Sequence, residues 1–210
     1  MTPAAGFEKR EGEEPMSDLK DYSGDYRPDV RFEDFSKEAL IKLIKAYQIA
    51  FIGNMGMWNT VNRERMSVEE AWSLDSEVYE KQVRRFELPL VCDAMNIRGD
   101  DVVTMLKYFQ MCPDGAREGL YEFSTEIINN HHAVLTFTRC PTLFYFERKK
   151  SEKDIKCLCG PGGTEDRAFK AICSYFNPNM RSRALKLPPR QSEDEICCKW
   201  EFKVEKPGNA

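Results

Sequence analysis

Residues 196–204 read Ile196-Cys197-Cys198-Lys199-Trp200-Glu201-Phe202-Lys203-Val204, and this stretch decides the fold class. Apolar and polar residues alternate, the period of a half-buried strand. Ile196, Cys198, Trp200, Phe202 and Val204 share one face, while Cys197, Lys199, Glu201 and Lys203 share the other. The pattern predicts a buried first face and a wet second one. Cys198 then points inward, and Cys197 points outward or toward a covering loop.

The neighbouring segments extend this reading. Residues 184–187 form a partner strand, separated by Pro188-Pro189-Arg190. Residues 120–128 and 133–139 read as two more strands, joined as a hairpin by Asn129-Asn130-His131-His132. Residues 141–149 suit a short helix. Residues 150–165, with "CLCGPGG", read as a charged, Gly-rich loop. A helix over 164–176 starts at Thr164 and stops at Asn177-Pro178. Upstream, Ser36 caps a helix with Leu40, Ile44, Tyr47, Phe51 and Trp58 at helical spacing, weakened or bent at Gly53 and Gly56. Ser67-Val68-Glu69-Glu70 has the form of a capping box. The helix after it carries Val68, Ala71, Trp72, Asp75, Tyr79, Gln82 and Phe86 on one stripe. Asp100 caps a third helix, with Val103, Leu106 and Phe109 or Gln110 inside, and Pro113-Asp114-Gly115 turns the chain. Helices, hairpin, helices, hairpin is an α+β order with an antiparallel sheet.

The chain has 210 residues, 41% of them hydrophobic, enough for one well-buried domain. Residues 1–30, rich in Glu, Asp, Gly and Pro, read as a flexible acidic arm. Residues 31–210 read as a single α+β domain, with a helical part over 31–115 and a sheet and cysteine-rich part over 116–210. A net charge of −4 argues against nucleic acid as a partner. No apolar run is long enough to span a membrane, and the N-terminus lacks an apolar signal core, so the expected location is cytoplasmic. In that compartment the eight cysteines are not a disulfide framework.

Six of the eight cysteines follow residue 139. Cys140, Cys157 or Cys159, Cys173 and Cys198 come from four different elements, and a borderline-soft ion such as zinc takes about four such ligands. An iron–sulfur cluster is the runner-up. Cys157-Leu158-Cys159 is C-x-C and matches no zinc-finger spacing, and free cysteine is also a common core residue. Asp75 interrupts an apolar stripe, where a carboxylate is costly unless paired. It reads as a general base or substrate anchor, or as the partner of a nearby tyrosine, tryptophan or arginine. His131 and His132 read as solvated turn residues. Gly160-Pro161-Gly162-Gly163 lacks the Lys-Ser/Thr of a phosphate loop.

Several short motifs coincide: "TRCP" at residues 138–141, Cys173, "FNP" at 176–178, "LPPR" at 187–190, "CKWEF" at 198–202, Trp58, and "AWSLD" at 71–75. Together they resemble prokaryotic proteins similar to the L-2-amino-thiazoline-4-carboxylate hydrolase family. The C-terminal half is more distantly similar to 4VR-type small-molecule-binding domains. The resemblance spans residues 30–205. It implies opening of a small cyclic C–N substrate bearing a carboxylate, and a cysteine-held zinc beside a ligand pocket. Cys140, Cys173 and Cys198 match its recurring cysteines, Cys157 or Cys159 a further one, and Trp58 and Asp75 its helix residues. Tyr79 stands where a tryptophan is expected. In that reading Asp75 is the base or anchor, Trp58 lines the substrate site, and Arg139 or Arg190 holds the carboxylate. The alternative is a non-enzymatic small-molecule-binding or accessory protein with a closed, structural metal site. The apolar residues over 55–58 read as pocket wall or as the interface of a homo-oligomer.

Overall fold

The computed structural model describes residues 19–114 and 120–205. Most of the expected acidic arm, residues 1–18, therefore lies outside the described residues, as does Gly115 of the expected turn. The chain divides into two compact units, Met1–Tyr47 and Gln48–Ala210.

In the first unit Leu19 bridges Phe35 in parallel. The Leu19 N–H donates to the Asp34 carbonyl at 2.8 Å, and the Ser36 N–H donates to the Leu19 carbonyl at 2.9 Å. Ser36 then starts helix α1 (Lys37–Arg63), its hydroxyl accepting from the Ala39 N–H at 3.2 Å. A groove of about 820 Å³ is lined by Tyr22, Val30, Phe32, Phe35 and Leu43.

The second unit takes in the rest of α1, which runs unbroken through Gly53 and Gly56. Helix α2 (Val68–Gln82) opens with the expected capping box. The Glu70 N–H donates to Ser67 Oγ at 3.3 Å, and the Ser67 N–H donates to Glu70 Oε2 at 2.9 Å. A π-helical turn, Val83–Glu87, continues directly into α3 (Leu88–Ala94), an element the stripe of α2 did not reveal. Asp101 caps α4 (Val102–Met111), accepting from the Thr104 N–H at 2.7 Å, one residue beyond the expected cap at Asp100.

Strands β1 (Glu122–Asn129), β2 (His132–Arg139), β3 (Met180–Lys186) and β4 (Cys198–Val204) form one antiparallel sheet in the order β1-β2-β4-β3. Helices α5 (Pro141–Arg148), α6 (Glu152–Cys159) and α7 (Thr164–Phe176) lie between the two hairpins in sequence. The α+β class holds. No helix is long and apolar enough to cross a membrane among the described residues.

Helix α6 replaces part of the expected loop over 150–165. Eight residues are too few to be helical on propensity alone. Tertiary burial holds them, through Ile155, Leu158 and Cys159 on one face and the buried Asp154. The glycines serve the turn that follows. A Cβ at Gly160 would lie 2.4 Å from the Lys156 carbonyl oxygen, and one at Gly163 would lie 2.4 Å from that of Cys157. Both approaches are closer than any side chain tolerates, so this turn sits tightly under α6 only with glycine there.

Two clusters make the core. The larger joins Leu135, Trp200 and Phe202 of the sheet to Tyr108, Phe109, Phe169 and Phe176 of α4 and α7. Phe169 is its hub, with its ring centroid 4.8 Å from Trp200, 5.4 Å from Phe202 and 5.6 Å from Phe109. The smaller joins Trp72 to Leu143, Phe146, Ile155, Leu158, Cys159 and Cys197.

Beside the smaller cluster Asp154 is buried with every neighbour arranged to serve it. Trp72 Nε1 donates to Oδ1 at 2.7 Å, Arg63 reaches the same oxygen at 3.0 Å, and the Ser151 hydroxyl donates to Oδ2. Replacing Trp72 by Phe removes one donor from a buried carboxylate and should cost about 1–3 kcal/mol. Urea denaturation checks it, and an unchanged midpoint would show that Asp154 does not need the indole N–H.

Candidate functional site

The register of β2 with β4 builds the site. Phe137 pairs with Cys198, and the Cys197 N–H donates to the Phe137 carbonyl at 2.8 Å, extending the ladder past the strand. Three residues after Phe137, Cys140 caps α5, its sulfur accepting from the Leu143 N–H at 3.4 Å. Pro141 follows at the first helical position, where its missing N–H costs nothing. The end of β2 and the start of β4 therefore bring Cys140, Cys197 and Cys198 to one place. Helix α6 ends there at Cys159, and α7 brings Glu165 in its first turn.

These five side chains line a cavity of about 40 Å³ together with Tyr121, Leu143, Phe137, Phe169, Leu187, Pro188 and Trp200. That volume suits one ion or about one or two waters, since a water occupies roughly 30 Å³ in the liquid. No basic side chain lines it. No three of its potential ligand atoms lie within 4.8 Å of one another among the described residues.

Burial sets the electrostatics. It pushes the Cys198 thiol up to about 12 and the Cys140 and Cys159 thiols well above the ordinary range. Cys197 is raised too, by burial, with the Arg190 guanidinium opposing. Burial and the Asp114 carboxylate push Glu165 up to about 7, and no hydrogen bond or cation among the described residues counters the shift. At neutral pH the thiols are protonated, and Glu165 is the lining group that changes charge in that range. Thiol donors beside a carboxyl suit a thiophilic divalent cation in donor type, and taking one up would require the thiols to release protons and draw together.

The expected residues divide. Cys140 and Cys198 line the cavity, and Cys159 rather than Cys157 joins them. Cys157 sits half-buried on another side of α6. Cys173 does not converge with them. It lies in the larger core cluster, its thiol 3.9 Å from Met105 Sδ. The reading of Cys197 needs correction. It is 1% exposed, because α5 and α6 cover the start of β4 on the side that strand alternation marked as wet.

Asp75 is absent from the cavity wall. It accepts from the side-chain amides of Asn59 and Asn62 on α1, the latter at 3.3 Å. Burial raises its carboxyl, and both amides oppose that. Its partners are thus neither tyrosine, tryptophan nor arginine, and the Asn59-x-x-Asn62 pair at helical spacing was the readable sign. Trp58 is 53% exposed. Arg139 is exposed and pairs with Glu122 at 3.2 Å.

Arg190 finds its carboxylate inside the chain. It grips Glu147 through Nε at 2.9 Å and an Nη at 2.5 Å, donates to the Glu193 and Glu195 carbonyls, and lies 4.7 Å over the Phe144 ring. It fastens the β3–β4 connection onto α5, which roofs the cavity with Leu187 and Pro188.

Glu165 went unread. Its signal was its position on the apolar stripe of α7, with Phe169, Ile172 and Phe176 following at helical spacing. Tyr121, whose hydroxyl is 3.2 Å from Thr142 Oγ1, had no such signal. No family model, no curated protein and no solved structure matches the chain.

Proposed function

We propose that the protein binds a thiophilic divalent cation, zinc, in the cavity bounded by Cys140, Cys159, Cys197 and Cys198. The observation that carries this is the convergence of four thiols and one carboxyl, from four elements distant in sequence, on a space the size of an ion. An apolar core has no need of thiols gathered in this way, whereas a zinc site does. The volume weighs against an iron–sulfur cluster, and against a cyclic carboxylate substrate seated beside the ion. The better-supported role is a closed metal site in a small-molecule-binding or accessory protein.

A second reading keeps the hydrolase, and Glu165 favours it. A carboxyl held near 7 next to a metal is suited to proton transfer at neutral pH. In that reading the cavity opens to admit a small C–N substrate, and Glu165 rather than Asp75 handles the proton.

Elemental analysis of anaerobically purified protein tests the metal. Cys140→Ser, Cys159→Ser and Cys198→Ser should each lower zinc content by one equivalent per chain, while Cys157→Ser and Cys173→Ser leave it unchanged. Unaltered content in all three cavity variants sinks the proposal.

Glu165 gives a separate prediction for the metal-free protein. Below about pH 4.5 the carboxyl is protonated in both folded and unfolded chains and costs nothing. Between 4.5 and about 7 the unfolded chain gives up a proton that the folded chain retains, so stability falls as pH rises, then levels off. The loss should be roughly 1–3 kcal/mol. Glu165→Gln should flatten this part of the stability profile, and an identical slope in the variant refutes the assignment.

A further inference from the structure

We propose that Glu87, Cys112 and Asp114 form a second cation site, distinct from the thiol cavity, for a divalent transition metal of the zinc class. Glu87 ends the π-helical turn after α2, while Cys112 and Asp114 follow α4. One ligand atom from each lies within 4.8 Å of the other two. Glu87 is 4% exposed and Cys112 is 2% exposed.

A tyrosine hydroxyl holds one oxygen of each carboxylate, and the second oxygen of Glu87 has no donor. The Tyr108 hydroxyl donates to Glu87 Oε1, and the Tyr79 hydroxyl donates to Asp114 Oδ2. Glu87 Oε2 and Gln82 Oε1, the latter on the last residue of α2, are both buried and accept no well-formed hydrogen bond, although the Gln82 side chain lies against Glu87 and favours its ionised form. No lysine, arginine or histidine pairs with either carboxylate among the described residues. Buried oxygens are nearly always satisfied, and a buried carboxylate beside the half-buried Asp114 carboxylate is costly without a cation. A bound cation answers both deficits at once. Carboxylates that bind a metal are themselves held by hydrogen bonds, the part the two tyrosine hydroxyls play here.

The π turn adds a separate indication. One-turn π segments are rare and frequently mark functional positions. Here it sets the position of Glu87 on the buried side of the chain. The donors, two carboxylates and a thiol, select the ion. The thiol disfavours magnesium and calcium, which take oxygen, and the mixture suits zinc, cobalt or ferrous iron. Three protein ligands leave a fourth position open.

The test uses full-length, metal-free Cys140→Ser/Cys198→Ser protein, in which the thiol cavity cannot hold its ion, titrated with cobalt(II) alone. One equivalent should bind and show a thiolate-to-cobalt charge-transfer band. Adding Cys112→Ser should abolish the band. Adding Glu87→Gln or Asp114→Asn, both near-isosteric, should weaken binding at least tenfold. If the double variant does not fold, the wild-type chain serves: it should bind two equivalents, and Cys112→Ser, Glu87→Gln or Asp114→Asn should remove one. Absence of cobalt binding, or a band indifferent to Cys112→Ser, overturns the proposal and leaves a proton shared between the two carboxyls. That outcome leaves the thiol cavity untouched, because zinc loss in the cavity variants is measured separately.

Discussion

The pairing of Phe137 with Cys198 fixes most of what is specific to this structure. It makes β2 and β4 the central strands of the sheet, and it places Trp200 and Phe202 opposite Leu135 and Ala133 beneath Phe169. A slip of one residue would turn every side chain of β4 to the other face. The aromatic face under α4 and α7 allows only one register. The same register brings the end of β2 to the start of β4, and so gathers Cys140, Cys197 and Cys198. The larger core and the thiol cavity therefore depend on one set of backbone hydrogen bonds.

β1, β2 and β4 were readable because their residues obey a period of two and their turns carry Asn and Pro, whereas β3 was expected only over 184–187 and begins at Met180, where Arg181 and Arg183 hide an edge strand among charges. The capped starts of α1 and α2 were readable because capping is local chemistry, and that of α4 was read one residue early because Asp100 and Asp101 are adjacent. What could not be read depends on neighbours distant in sequence. Helix α6 is stable because Ile155 and Leu158 are buried and Asp154 finds Trp72 and Arg63, none of which a window of fifteen residues contains. Cys197 looked wet because alternation assumes one open face, and α5 and α6 cover that face at the start of the strand. Cys173 shares its helix stripe with Phe169, Ile172 and Phe176, so it was as compatible with core as with ligand, and the core holds it.

The expected substrate clamp shows the same limit. Arg190 is an arginine beside prolines, the kind of residue that can bind a carboxylate, and it does bind one. The carboxylate belongs to Glu147. The pair works as a fastener for the loop over the cavity, and its donors are committed to the chain. Residue type conveyed the chemistry; the partner was set by where the chain returns.

The buried acids separate structure from site. Asp154 receives three donors from three different segments, so this fold is able to satisfy a buried carboxylate when burial is the only requirement. Glu87 sits in the same kind of interior with one oxygen held by Tyr108 and the other open, next to a second carboxylate and a thiol. Glu165, half-buried among thiols, has no hydrogen bond or cation among the described residues to offset its loss of water. Among the described residues, the interior that completes Asp154 with three donors leaves Glu87 and Glu165 without a basic partner, so burial alone does not dictate how this fold treats an acid.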